Sequence, residues 1–267
     1  MALAKVGDIE LSYDRGGSGP PLLLIMGMSG TMFHWGEPLL RELRRDFDTI
    51  VYDHRGIGES SRTGEPFTIA ELAGDAAGLL QALEIDSAHV MGISMGGMIA
   101  QELALAHPER VRALLLGCTY CGGEGSLLSS EDVLRRLAEA MASGDRERAI
   151  RTAWEVNVSE RFAEDADAYA AFLQISLSHA VAVPVIMEQM RAIAGHDTSE
   201  RLAETRAPTL VVHGTVDQML PVDNGRVIAE RIPGSRLEIL EDVGHLFFWE
   251  EPERAAELVR EHAAVRA

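Results

Sequence analysis

The chain has 267 residues, of which 46% are hydrophobic, enough for one large folded domain or for a core domain that carries an insertion. Its formal net charge of -18 would repel nucleic-acid phosphates and anionic membrane surfaces, so neither is expected as a partner. Lys5 is the only lysine, which leaves almost no candidate for a Schiff-base or pyridoxal phosphate mechanism.

Targeting signals are not expected from the sequence. No apolar run approaches the roughly 18 residues that a membrane-spanning helix needs. The segment from Met1 to Leu11 lacks the basic and then apolar order of a secretory signal. We therefore expect a cytoplasmic protein without a membrane partner, and a homo-oligomer is compatible with this composition.

Apolar runs predict a series of strands. The first two, around Ile9–Tyr13 and Leu22–Met26, are predicted to form a hairpin joined by a Gly-rich turn that ends at Pro20. The later strands are predicted at Phe47–Tyr52, Ala88–Ile93, Val111–Leu116, Thr209–His213 and Leu237–Leu240. The helices predicted between and after them are Gly36–Arg44, Ile69–Leu83, Met95–Ala106, Gly225–Arg231 and Glu253–Ala264. This alternation predicts a mainly parallel, buried sheet with helices on both faces.

One interval departs from the alternation. From Tyr120 to about Glu200 the pattern becomes helical: Ser130 can cap one helix, and Pro184 can lie in the first turn of another. We interpret this interval as a helical cap over one end of the sheet. The predicted division is a core of residues 1–119 and 201–267 and a cap of residues 120–200.

The two cysteines, Cys118 and Cys121, form a C-x-x-C at the end of an apolar strand. Redox use favours a first cysteine at a helix start, and a zinc site needs more ligands than this pair offers. We interpret them as ordinary thiols that line a wall or a pocket.

A candidate nucleophile lies in "GISMG", at Ser94. This motif follows one predicted strand and opens a predicted helix, the context that a nucleophile elbow requires. Ser94 would occupy a strained turn that exposes its hydroxyl, while the flanking glycines let strand and helix pass closely. The alternative is a Gly-rich turn with an incidental serine.

A serine hydroxyl needs a base, and the base needs a carboxylate that orients it. Among nine histidines, His245 follows the last strand in a loop that returns to the same sheet edge, whereas His213 reads as a structural turn residue. Asp217 follows the strand before it, which gives the chain order Ser, Asp, His. Asp223 and Asp242 are the other candidates for this carboxylate. Asp223 lies next to a predicted helix start and is more simply a helix cap, and Asp242 is so close to His245 in the chain that no fold is needed to bring the two together. The alternative for His245 is a loop histidine whose hydrogen bonds have only a structural role, and the alternative for Asp217 is an exposed aspartate in a turn.

Four stretches carry a family resemblance: "GISMGG", "YDHRGIGES", "HGTVDQMLP" and "VGHLFFWEEPE". Together they resemble the α/β-hydrolase superfamily over essentially the full chain. The resemblance implies an α/β fold with a mostly parallel sheet of about eight strands, flanked by helices and carrying a helical cap insertion. The capped layout and the segment from His196 to Pro221 are similar to small bacterial esterases, enol-lactonases and antibiotic-biosynthetic methylesterases.

The resemblance also implies an oxyanion hole of two backbone N–H groups. One is that of Met95, directly after the nucleophile, and the other is that of Met28, in the loop after a strand. Where the family commonly has His-Gly, this chain has Met26-Gly27. Because the donors are main chain, the hole need not be lost. A tight apolar turn without a catalytic role is the alternative.

The predicted function is hydrolysis of an ester or lactone of a small, largely apolar substrate through an acyl-enzyme on Ser94, without cofactor or metal. Methionine-rich surroundings favour an adaptable apolar pocket, although core filling would give the same pattern. The predicted pocket residues are Met26, His34, Trp154, Met187 and Leu246. Arg55 either meets a substrate carboxylate or pairs with a nearby acid.

Three other activities are compatible with the same triad. They are hydrolysis of carbon–carbon bonds, cofactor-free perhydrolase or haloperoxidase-like chemistry, and slow-turnover ligand binding of a receptor type.

Overall fold

One mixed sheet of eight strands organises the protein, and the computed structural model describes residues 1–62 and 64–264. The strand order is β1-β2-β4-β3-β5-β6-β7-β8. Strands β3 to β8 run parallel, and β1 and β2 are antiparallel at one edge. The strands are β1 Ala2–Val6, β2 Ile9–Gly17, β3 Pro21–Ile25, β4 Asp48–Tyr52, β5 Ala88–Ile93, β6 Val111–Gly117, β7 Thr209–Gly214 and β8 Arg236–Leu240.

The predicted first hairpin is wrong in its pairing. Strand β2 pairs with β1 and β4, whereas β3 lies between β4 and β5. The hairpin is instead formed by β1 and β2, through a two-residue turn at Gly7 and Asp8 in which Gly7 has φ 57°. The Gly-rich segment after β2 carries the chain across β4, so it does not close a hairpin.

Helices cover both faces of the sheet and bury its two apolar sides. Helices α2, α3 and α9 pack on one face, and α1 and α11 pack on the other. Outside the interval between β6 and β7, the helices are α1 Glu37–Leu43, α2 Ile69–Ala82, α3 Met95–Ala106, α9 Asp223–Arg231, α10 Phe247–Glu250 and α11 Pro252–Ala263. The predicted architecture, a mostly parallel sheet of about eight strands with helices on both faces, is confirmed.

Five further helices lie between β6 and β7 and have a small core of their own. They are α4 Glu131–Ala142, α5 Arg146–Asn157, α6 Glu160–Ala163, α7 Ala166–Ser178 and α8 Val183–Ala194. Trp154 of α5 is the centre of an aromatic cluster with Phe162, Tyr169, Phe172 and Trp249. Within the described residues, no single helix has the length and apolarity to cross a bilayer, although α7 and α8 meet both criteria as a pair bent by 106°.

Candidate active site

Ser94 lies in the turn between β5 and α3, with φ 53° and ψ -124°. An L-residue other than glycine rarely adopts a positive φ, and such a residue stores on the order of 1–3 kcal/mol of strain. The turn is tight because strand β5 and helix α3 nearly touch: a Cβ on Gly92 would lie 2.2 Å from the carbonyl oxygen of Gly96. The local geometry is that of a nucleophile elbow.

The end of β6 holds this turn in place. The Ser94 N–H donates to the carbonyl of Gly117 at 2.9 Å. The hydroxyl of Thr119 donates to the carbonyl of Ser94 at 2.7 Å. Both polar groups of the Ser94 main chain are therefore engaged, which fixes the strained conformation.

His245 and Asp217 form a buried hydrogen bond at the same edge of the sheet. His245 Nδ1 lies 2.8 Å from Asp217 Oδ2, and the two residues are 4% and 7% exposed. A carboxylate only accepts hydrogen bonds, so Nδ1 carries the proton and Nε2 is left as an acceptor. This is the tautomer that a general base requires.

Several donors surround the Asp217 carboxylate. Its Oδ1 accepts the N–H groups of Met219 and Leu220 at 2.8 and 2.9 Å. His213 Nε2 lies 3.1 Å from Oδ2 and 2.7 Å from the carbonyl of Leu220. Burial alone would raise the pKa of Asp217, but the charges and hydrogen bonds of His245 and His213 outweigh it and hold this pKa below its usual range. Asp217 is therefore an anion at neutral pH.

The loop after β3 lies beside Ser94. A Cβ on Gly27 would lie 3.6 Å from Ser94 Oγ. His54 Nε2 donates to the carbonyl of Met26 at 2.8 Å, which supports the start of the loop. The N–H of Met28 has no acceptor among residues 1–62 and 64–264. Met95 is the first residue of α3, where a main-chain N–H has no helical partner.

The family follows from a match that spans most of the chain. The family model described as Alpha/beta hydrolase family matches residues 22–258. The chain belongs to the α/β-hydrolase family. The protein RutD of Azorhizobium caulinodans, assigned as a carbamate hydrolase, is 32% identical to this α/β-hydrolase over 247 residues, which are 92% of each chain.

Solved structures agree with this assignment. The esterase RhEst1 from Rhodococcus sp. ECU1013 is similar with a TM-score of 0.85 at 26% identity, over 99% of this chain and 98% of that one. The enol-lactonase from Burkholderia xenovorans LB400 has a TM-score of 0.84 at 25% identity, over 99% of this chain and 100% of that one. The protein is a hydrolase of this family.

The predicted pocket residues of this α/β-hydrolase lie in different surroundings. Met26 is buried in the core face that also contains α1 and α11. Trp154 is fully buried within the aromatic cluster. Met187 on α8 is 55% exposed. Leu246 is half-buried and packs both against the core face that contains Met26 and against the aromatic cluster of Trp154. A pocket role for these residues stays a prediction.

His34, the fifth predicted pocket residue, joins the core to α7. The N–H of Thr31 donates to His34 Nδ1 at 3.0 Å, so the ring proton is on Nε2, which donates to Ser176 Oγ at 3.2 Å. Desolvation by burial, with a smaller contribution from the charge of His179, lowers the pKa of His34 to about 4. At neutral pH His34 is therefore uncharged, with both ring nitrogens engaged.

Cys118 lies next to the acid and the base. Its Sγ, a carboxylate oxygen of Asp217 and a ring nitrogen of His245 lie within 4.8 Å of one another, a grouping that could hold a metal ion. Burial raises the pKa of the Cys118 thiol well above its usual value, and metals bind the thiolate. Both oxygens of Asp217 also already accept hydrogen bonds. Cys118 is therefore better explained as a buried thiol than as a metal ligand. Cys121 is likewise a buried free thiol.

Two residues near the site were not identified from the sequence. The side chain of Gln189 in α8 accepts a hydrogen bond from the N–H of Ser29, and Glu250 accepts one from the N–H of Gly244. A weak signal existed for Gln189, since it is the polar member of a helix face that also carries Val185 and Ala192. For Glu250 there was no local signal, because it also accepts the N–H of Ser159, 91 positions away.

Proposed function

We propose that this α/β-hydrolase is a serine hydrolase that cleaves an ester or lactone of a small, largely apolar substrate. The observation that carries the proposal is the positive φ of Ser94 in a turn whose hydroxyl faces the Gly27 loop. The buried pair of His245 and Asp217, on loops that follow β7 and β8, supplies the base and its orienting carboxylate.

The first half of the reaction forms an acyl-enzyme. His245 Nε2 takes the proton of the Ser94 hydroxyl as Oγ attacks the substrate carbonyl carbon. The tetrahedral intermediate then collapses, and the protonated imidazole gives the proton to the departing alkoxide. Asp217, an anion at neutral pH, stabilises the transient imidazolium.

The second half returns the free enzyme. His245 takes a proton from water as the water oxygen attacks the acyl carbon. As the second tetrahedral intermediate collapses, the bond between the acyl carbon and Ser94 Oγ breaks, the protonated His245 gives its proton to Oγ, and the carboxylic acid is released. In both halves, negative charge develops on the former carbonyl oxygen. The N–H groups of Met28 and Met95 are the proposed donors to that oxyanion, since neither has a protein partner within the described residues.

A neutral substrate is favoured by the charges around the site. The guanidinium of Arg55 donates two hydrogen bonds of 2.7 Å to Asp75. Of its two predicted roles, Arg55 therefore has the pairing with a nearby acid. His34 is uncharged at neutral pH because its pKa is about 4. Neither side chain is therefore available to bind a substrate carboxylate.

The similarity to an esterase and to an enol-lactonase supports the ester and lactone classes. The similarity to RutD favours a carbamate as a second candidate substrate, because its carbonyl is attacked in the same way. We also propose that residues 120–200 form the cap of this enzyme, as the predicted division has it, since α4 to α8 lie within that interval.

A labelling experiment joined to a substrate panel tests the proposal. A fluorophosphonate probe is expected to add to Ser94, as mapped by peptide mass spectrometry. Neutral short-chain aryl esters, a lactone and an alkyl carbamate form the panel, with a half-ester of succinate as the charged control. We expect steady turnover of neutral substrates and at least about tenfold lower kcat/KM for the half-ester, because Arg55 is already paired with Asp75 and His34 is uncharged.

Other outcomes would contradict the proposal. A single stoichiometric burst would indicate a slow-turnover binder. Cleavage of a vinylogous diketone, or peracid formation from acetate and hydrogen peroxide, with no ester turnover would assign one of the other activities. If the probe does not label Ser94, then Ser94 is not the nucleophile.

A further inference from the structure

The loop that carries His245 contacts the α5–α6 junction, the segment Asn157 to Ser159, on both sides of the histidine. After it, the N–H of Leu246 donates to the carbonyl of Asn157 at 2.8 Å. Before it, Gly244 packs directly on the junction: a Cβ there would lie 2.7 Å from the carbonyl carbon of Val158. The main chain of position 245 is thus held from two directions by one segment.

Glu250 binds both partners of this contact. Its Oε1 accepts the N–H of Gly244 at 2.8 Å and the N–H of Ser159 at 2.9 Å. Its Oε2 accepts the hydroxyl of Ser159. The same hydroxyl oxygen accepts the N–H of Phe162 at 3.2 Å and so caps α6. One carboxylate therefore joins the histidine loop to the junction through three donors.

We propose that Glu250 is a positioning residue for His245, acting through Gly244 and Ser159, an inference that rests on the proposed role of His245 as the base. Glu250 does not take part in the chemistry. Its carboxylate fixes the distance between the α5–α6 junction and the histidine loop, and thereby the place of the imidazole that is hydrogen-bonded to Asp217.

The physical reason is the cost of leaving donors without acceptors. With alanine at position 250, two main-chain N–H groups and one hydroxyl lose their acceptor, and Gly244 and Ser159 are almost fully buried. The loop and the junction would then separate to admit water. A shift of His245 by about 1 Å is enough to slow proton transfer by on the order of a hundredfold.

The test compares Glu250→Ala and Glu250→Gln with the control Glu253→Ala, an exposed glutamate in the first turn of α11. For Glu250→Ala we expect a fall in kcat of about tenfold to a hundredfold on a neutral ester, with KM changed less than about twofold. Glutamine keeps an acceptor oxygen, so Glu250→Gln is expected to restore at least about a third of kcat. The His245 Nδ1 proton resonance is expected to broaden in the alanine variant and persist in the glutamine variant.

A second pair of variants keeps the test valid if Glu250→Ala does not fold. Ser159→Ala removes one of the three donors, and Ser130→Ala is its control, because Ser130 caps α4 without contacting Glu250. We expect Ser159→Ala to lower kcat about threefold to tenfold more than Ser130→Ala does.

Four results distinguish failure of the positioning role from failure of the proposed function. If kcat of Glu250→Ala matches that of Glu253→Ala, or if KM rises while kcat is constant, the positioning role is wrong. The same conclusion follows if Ser159→Ala and Ser130→Ala have equal kcat. If the unaltered protein is neither labelled at Ser94 nor active on esters, the proposed function itself fails and this inference fails with it.

Discussion

The side-chain oxygen of Gln189 accepts a hydrogen bond of 2.9 Å from the N–H of Ser29. Ser29 has φ 58° and directly follows Met28, the proposed oxyanion donor. Gln189 is completely buried, and its Nε2 has no partner within the described part of the chain. Helix α8 therefore holds the loop of Met28 and Ser29 through one hydrogen bond, which the Gln189 side-chain oxygen accepts.

The first prediction concerns Gln189→Leu. Leucine removes the acceptor of the Ser29 N–H, so the loop can turn and misplace the Met28 donor. We expect kcat/KM for a neutral ester to fall about tenfold to a hundredfold, the range for a weakened oxyanion donor. The free energy of unfolding should change by less than about 1 kcal/mol. The lost hydrogen bond is offset because leucine also removes the buried Nε2, which has no partner among the described residues. The control is Met190→Leu, at the next and half-exposed position; equal kcat/KM in the two variants would contradict this prediction.

The second prediction uses the strain at Ser94. Glycine adopts the observed φ and ψ freely, whereas alanine has the same strain as serine. Relief of strain should outweigh the greater entropy of glycine in the unfolded chain. We expect Ser94→Gly to be about 1 kcal/mol more stable than Ser94→Ala in urea unfolding. A glycine variant that is less stable than the alanine variant would show that the elbow is unstrained.

The third prediction concerns acid stability and His196. Desolvation by burial lowers the pKa of His196 to about 4, and neither ring nitrogen has a partner among the described residues. Since this folded-state pKa lies below the unfolded value, the unfolded chain binds more protons between about pH 6.5 and 4. The contribution of His196 to stability is therefore complete above pH 6.5 and declines as the pH falls toward 4.

His196→Phe tests this linkage. Phenylalanine keeps an aromatic ring against Tyr120, which His196 contacts edge-on, and it does not titrate. The free energy of unfolding, measured with urea at pH 7, 5.5 and 4, falls in both proteins as the pH is lowered. We expect this fall to be up to about 3 kcal/mol smaller in the variant than in the unaltered protein. Parallel curves for the two proteins would mean that His196 is protonated equally in the folded and unfolded states.

Local signals explain what the sequence predicted well. The strand, the "GISMG" turn and the following helix lie within 20 residues of one another, and each has its own pattern. The prediction of a strained turn at Ser94 needed no knowledge of distant residues. The parallel strands β5, β6 and β7 were recognisable for the same reason, since their apolar runs are buried on both faces.

Pairing between distant segments was less accessible. The pattern of Ala2–Val6 is that of an edge strand with three exposed residues, so the partner of β2 was assigned wrongly. Gln189 and Ser29 are 160 positions apart, and Glu250 and Ser159 are 91 apart. Trp154 shows a further limit, because composition does not distinguish the core of a helical unit from the wall of a pocket.

Ser94 is the proposed nucleophile, and the kinetics of Ser94→Ala test this role. The control is Ser87→Ala, at the position before β5 begins, at the opposite end of that strand from Ser94. With the best neutral ester of the panel, we predict that kcat/KM of Ser94→Ala falls by on the order of a millionfold while Ser87→Ala keeps its activity. A Ser94→Ala protein that folds and retains most of the ester hydrolysis would show that Ser94 is not the nucleophile.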